Sequence, residues 1–228
     1  MAQRGVEGAG APPGLDTDAA RAVEWLALIG LPGVAALVAD LDAGLAAPDA
    51  CRPTRIADGE LRFVRASGLL VGAMVVEWAA IGTPLRRRVE GLVSPLGLLP
   101  EAEGRARECG GLAVALLGEG SASEAAGHFP ADGSTPALAG NWARSDGTPR
   151  RLSIAAGAEA AKHFDGALPG LDRISDIAAA RHEHLRAGIE IDDALWRRLS
   201  AHAARILVPP SAISRARGAG SGAVDDND

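Results

Sequence analysis

Apolar residues recur at helical spacing near both ends of the chain and alternate in its middle. In "LDTDAARAVEWLALIG", Ala22, Val23, Leu26 and Ile29 share one face; Asp16 is placed to cap the helix, Asp18 favours its positive end and Gly30 stops it. After "LPG", Val34, Val38, Leu41 and Leu45 form a second stripe, with Pro32 suited to a first helical turn, so two short antiparallel helices are predicted. Two more helices are predicted near the other end. "LDRISDIAAARHEHLRAG" carries Ile174, Ile177, Ala178 and Leu185 at helical spacing. "DDALWRRLSAHAARILV" aligns Leu195, Leu199, His202 and Ile206 before Pro209 and Pro210.

Between these ends the period changes. Asp58-Gly59 is a turn signal, and Leu61 and Phe63 alternate after it as in a strand. Ser67 can cap a buried helix running to Ile81. "LRRRVEG", "GGLAVALLG" and "RRLSIAAG" read as strands, the second apolar enough to lie centrally in a sheet. Asp132-Gly133 and Asp146-Gly147 mark turns around Trp142. The expected class is mixed α/β (α+β), with a central β-sheet and helices concentrated in the N- and C-terminal thirds. The expected organisation is a flexible arm over 1–14, one domain over 15–210 and a Gly/Arg/Asp-rich tail over 211–228.

Composition narrows the classes of function. The 228 residues carry a formal charge of −6, which argues against nucleic acid as the main partner. Lys162 is the only lysine, so a Schiff-base or general-base lysine has one possible position. Cys51 and Cys109 stand far apart without metal-ligand spacing, and "MAQRGVEGAG" lacks the apolar stretch of a signal peptide. A cytoplasmic protein with two free thiols is expected. The apolar run from Gly68 to Leu85 contains Glu77 and is shorter than the ~20 residues of a membrane span, so it reads as a buried element.

Candidate chemistry is sparse. His182, Glu183 and His184 suggest a metal or proton-transfer site, but on a helix positions i and i+2 diverge by about 200°. The segment reads instead as a helix C-terminus, with Asp172 and Asp176 in its first turn and Gly188 past its end. His202 reads as a partly buried, hydrogen-bonded histidine, and His128 and His163 as loop or surface residues. Glu77, a lone carboxylate in an apolar segment, is a weak acid–base candidate against the plainer reading of an exposed helix edge. Cys109 is a weaker one, because Glu108 raises its thiol pKa. Phosphate-binding, zinc-protease, serine-hydrolase and complete dinucleotide motifs are absent from the sequence, so no metal and no cofactor is expected.

"GAGAPPGLDTDAARAVEWLALIGLPG" and "GIEIDDALWRRLSAHAARILVPPSAISRARGAGSGAVDDND" resemble the two ends of a bacterial family known as domain of unknown function 3726. The chain departs from that pattern at Pro13-Gly14, where a Trp-Gly pair is expected. The resemblance implies a bacterial cytoplasmic protein without assigning an activity, cofactor or catalytic residue, and it makes the tail more apt to dock or bind than its composition suggests. Two readings follow. One is an accessory, assembly or binding protein of metabolism, acting through a protein partner or as a homo-oligomer, with no membrane. The other is an enzyme whose tail grips an anionic small molecule through Arg215, Arg217 and the amides of Gly218, Gly220 and Gly222, with Asp225 or Asp228 as acid or base.

Overall fold

The computed structural model describes residues 1–57, 59–81, 86–118, 122–143, 147–174 and 177–206. The predicted first helix spans Leu15–Leu28 (α2) and the second Gly33–Asp42 (α3). Ala22, Val23, Leu26 and Ile29 are buried as their spacing predicts. Asp16 does not cap α2 directly; Gly14 holds the cap position and donates its N–H to Asp16. Pro32 likewise occupies the cap of α3, one residue before its first turn. Ahead of both, Ala2–Gly8 forms a helix (α1) where an irregular arm is predicted; it buries Val6 and packs against α2.

The alternating segments become strands β1 (Arg55–Ala57), β2 (Glu60–Ser67), β3 (Arg86–Val93), β4 (Leu112–Leu117) and β7 (Arg150–Ala156). Two further strands, β5 (Ser123–Phe129) and β6 (Ala137–Gly140), consist largely of small residues and carry little periodic signal. With β8 (Arg173–Ile174) they make one eight-stranded sheet in the order β1-β2-β3-β7-β4-β5-β6-β8. Among the described residues only β2 and β3 pair in parallel, joined by helix α4 (Gly68–Ala80), which Ser67 caps as predicted. Helix α5 (Leu98–Cys109) leads into β4, and α6 (Glu159–Ala167) follows β7.

The C-terminal third differs from its pattern in one respect. The predicted helix over 172–187 begins later, at Ile177–Ala187 (α7), because Arg173 and Ile174 pair with Ala139 and Leu138 at the sheet edge. Asp172 therefore precedes a strand instead of opening a helix, and Asp176 lies outside the described residues. Helix α8 (Asp193–Ala203) is capped by the Asp192 carboxylate, which accepts from the N–H groups of Ala194 and Leu195. It packs against α1, so the first and last α-helices of the described residues meet.

One sheet face carries the large core. Leu61, Val89, Leu152 and Leu116 line up across β2, β3, β7 and β4 and meet Leu70, Val75 and Val76 of α4 and Leu99 of α5. Close approach is achieved with glycine: a Cβ on Gly68 would stand 2.5 Å from the Ser94 carbonyl. The same junction holds a buried carboxylate. Asp40 of α3 accepts from Ser67 and, at 2.9 Å, from Ser94, which tethers α3 to the start of α4 and the end of β3. Burial pushes this carboxyl up to about 6, against the lowering effect of the two hydroxyls and of Arg65.

Among the described residues the opposite face is covered by α6 alone. A helix of nine residues is about 14 Å long, whereas eight strands span roughly 34 Å. Beneath α6 the outward positions are Ala113, Ala115 and Ala126, which pack on Ala160, Phe164 and Ala167. Beyond its reach, toward β1, the outward positions turn to Arg and Glu.

A raised acid pKa means that the folded protein holds the Asp40 proton more tightly than the unfolded chain. This contribution is therefore present below the unfolded value and lost as pH rises through about 6. Asp40→Asn keeps the shape and removes the titration. Urea unfolding at pH 4 and pH 7 should show wild type losing up to about 3 kcal/mol relative to the variant; parallel pH dependence in the two proteins would count against a buried, titrating Asp40.

Candidate functional site

Strand register places the charges of the uncovered face. Glu60, Arg88, Ser153, Ala115 and Ala126 lie side by side across β2, β3, β7, β4 and β5. One pair-spacing along, Arg62, Glu90 and Arg151 form a parallel row, and Arg86 lies on the other side, beside Ala155. The first row runs from charged side chains to small ones as it passes under α6.

Where the charged part meets α6 there is a cleft of about 390 Å³, lined among others by Arg86, Arg88, Arg151, Lys162 and His163 and by one carboxylate, Glu90. A second space of about 330 Å³ shares Arg86, Arg88 and Ser153 and extends to Gly59 and Glu60. The first lies in the size range of metabolite sites. Charge pairing within it is uneven. Arg62 holds both acids of the face, Glu60 at 2.8 Å and Glu90 at 3.0 Å. Arg151 donates to the Gly118 carbonyl, and Lys162 pairs with Glu159 on an exposed helix surface. Among the described residues Arg86, Arg88 and Arg151 have no carboxylate within salt-bridge distance. A protein of net charge −6 thus presents a locally basic cleft.

His163 is buried in the wall of this cleft, which corrects the expectation of a surface residue. Its Nε2–H donates to the Ser153 carbonyl at 3.3 Å. Burial first, and the nearby Arg86 in addition, hold the imidazole below its ordinary pKa, opposed by the bond to Ser153. The sequence concealed this because helix α6 is only nine residues long and His163 follows a lysine on it. His128 is also not in a loop: it belongs to β5, stacks on Phe164 and is held low by burial.

The other candidates are dispersed. Arg215, Arg217, Gly218, Gly220, Gly222, Asp225 and Asp228 lie outside the described residues. Glu77 is exposed on α4, on the far side of the sheet from the cleft. Cys109 ends α5, and burial pushes its thiol up. His182 and His184 sit on helix α7 and diverge. His184 donates Nδ1–H to the Leu28 carbonyl at 2.9 Å, while His182 borders Ser134, Thr135 and Arg181. His202 is buried and donates Nε2–H to Asp42 at 2.7 Å, and Arg198 binds the same carboxylate. These bonds, His202's first, hold Asp42 below the usual carboxylate range and fasten α8 to α3.

The architecture is that of a mixed eight-stranded sheet with its large core on one face and α6 packed on the other. Residues 1–68 match the model of the family described as Protein of unknown function (DUF3726), so the resemblance read at the N-terminal end holds; its C-terminal part lies outside that match. Among solved structures, a dehydrogenase from Sinorhizobium meliloti shares the fold at 17% identity and a TM-score of 0.56, over 89% of this chain and 96% of that one. A malate dehydrogenase from Entamoeba histolytica shares it at 10% identity and a TM-score of 0.57, over 92% of this chain and 96% of that one. No curated protein matches the sequence. Among the described residues no helix is long and apolar enough to cross a membrane.

Asp42→Ala leaves the buried His202 without its acceptor. Denaturant titration is expected to show a loss of about 1–3 kcal/mol, with faster amide exchange in α8 than elsewhere; uniform exchange rates would contradict a local fastening role.

Proposed function

We propose that this protein binds a small anionic metabolite in the cleft between β3, β7 and α6. The observation that carries the reading is the distribution of carboxylates: one arginine, Arg62, takes both acids of the face. That leaves Arg86, Arg88 and Arg151 around a space of metabolite size with no carboxylate in salt-bridge range among the described residues. Guanidinium groups bind carboxylate and phosphate through paired donors, so either anion suits the site. A small-molecule enzyme is the form of this reading that the fold favours. Of the two dehydrogenases that share the fold, one acts by its name on malate, a dicarboxylate. The free thiols of Cys51 and Cys109 agree with a reducing compartment, and we read the protein as bacterial and cytoplasmic.

A second reading, action through a protein partner or a second copy, rests on apolar side chains left open around the short edge strand. Ile56 and Val64 are 65% and 79% exposed on β1 and β2. Size-exclusion chromatography with light scattering addresses it: a monomer with no co-purifying protein would remove its support.

Calorimetric titration with succinate and with inorganic phosphate tests the first reading. Arg88→Ala with Arg151→Ala is expected to weaken binding at least tenfold, about 1.4 kcal/mol, and added salt to weaken it in wild type. Glu77→Ala, and a chain ending at Pro210, should bind as wild type does. Unchanged affinity in the arginine variant, or loss with the truncation, moves the site elsewhere.

A further inference from the structure

We propose that the ligand of this cleft carries a hydroxyl group beside its anionic group, and that His163 recognises the hydroxyl as a hydrogen-bond acceptor. The inference rests on the anion-binding reading and adds a substrate class to it. A carbonyl oxygen only accepts, so the contact of 3.3 Å with Ser153 assigns the hydrogen to Nε2. In the neutral imidazole this leaves Nδ1 with a lone pair. Nδ1 makes no hydrogen bond among the described residues, and it is not sealed from solvent as the Nδ1 of His202 is. Burial and Arg86 both favour the neutral ring.

The other nitrogen-bearing side chains of the cleft, Arg86, Arg88, Arg151 and Lys162, are donors only. The wall therefore combines cationic donors with one neutral nitrogen acceptor; its other side-chain acceptors are the Glu90 carboxylate, already engaged by Arg62, and the hydroxyls of Ser123 and Ser153. A simple dicarboxylate or an inorganic anion satisfies the donors but sets an oxygen lone pair against Nδ1. A hydroxy acid or a hydroxylated phosphate ester satisfies both, its anion on the arginines and its O–H on Nδ1. Sites built around a buried acceptor discriminate strongly against analogues that lack the matching donor. His163 is in these terms a specificity-determining residue.

The test pairs ligands that differ by a hydroxyl, malate with succinate and glycerol 3-phosphate with propyl phosphate, on the full chain by calorimetry. Wild type should prefer the hydroxylated member of at least one pair by roughly tenfold or more. His163→Phe should bring that ratio to about one while the deoxy ligand binds as before, because the arginine grip is intact. His163→Asn, which returns an acceptor near Nδ1, should restore part of the preference and guards against a folding defect in the first variant. Equal binding of both members in wild type overturns this proposal and leaves anion binding standing, as does an undiminished ratio in His163→Phe. Failure of all four ligands to bind overturns the anion reading, and this proposal with it.

Discussion

The shortage of helical cover on one face of the sheet governs what this molecule can do. Among the described residues, eight strands form a surface that a single short helix leaves partly open. The covered part must be smooth and apolar, and it is: Ala113, Ala115 and Ala126 let α6 approach closely. The open part must carry side chains content in water, and these are Arg and Glu. A boundary between the two regimes is unavoidable. At that boundary a charged strand faces the flank of a helix, and a cleft forms between them.

Charge in the cleft then depends on how few acids face how many bases. Arg62 lies between Glu60 and Glu90 and neutralises neither fully, but it engages both. The guanidinium groups farther along β3 and β7 are left facing solvent and the helix flank. Exposed ion pairs contribute little to stability, so this arrangement is weakly constrained by folding. The opposite face is constrained tightly. There Asp40 joins α3, α4 and the end of β3 through buried hydroxyls, and Gly68 admits a backbone contact that any Cβ would block. The buried polar tether lies on one side of the sheet and the basic cleft on the other.

The family match at the N-terminal end and the basic cleft occupy different parts of the fold. The matched residues run from α1 to the end of β2 and belong mainly to the helical layer. That layer is tied to α8 through Asp42, Arg198 and His202. The cleft is assembled from β3, β7 and α6, beyond the matched stretch. A similarity of fold to dehydrogenases at 17% and 10% identity extends over both regions, and its weight falls on architecture.

Periodicity alone determined α2, α3, α4, α8 and the strands β2, β3, β4 and β7, since their apolar residues must face one way whatever the neighbours are. It did not reveal α5, α6, β5 or β6, where alanine and glycine leave no pattern, nor the packed helix at residues 2–8. It placed His182 and His184 on a helix, and the structure turns them toward different surroundings. The alternation of arginine in "LRRRVEG" was equally legible, but not its meaning. Arg88 stands beside Ser153 only because β7 enters the sheet between β3 and β4, and His163 reaches the Ser153 carbonyl only because α6 folds back over β7. Electrostatic character follows distances between groups remote in the chain, and local pattern contains no such distances; tertiary structure alone decided where the positive charge gathers.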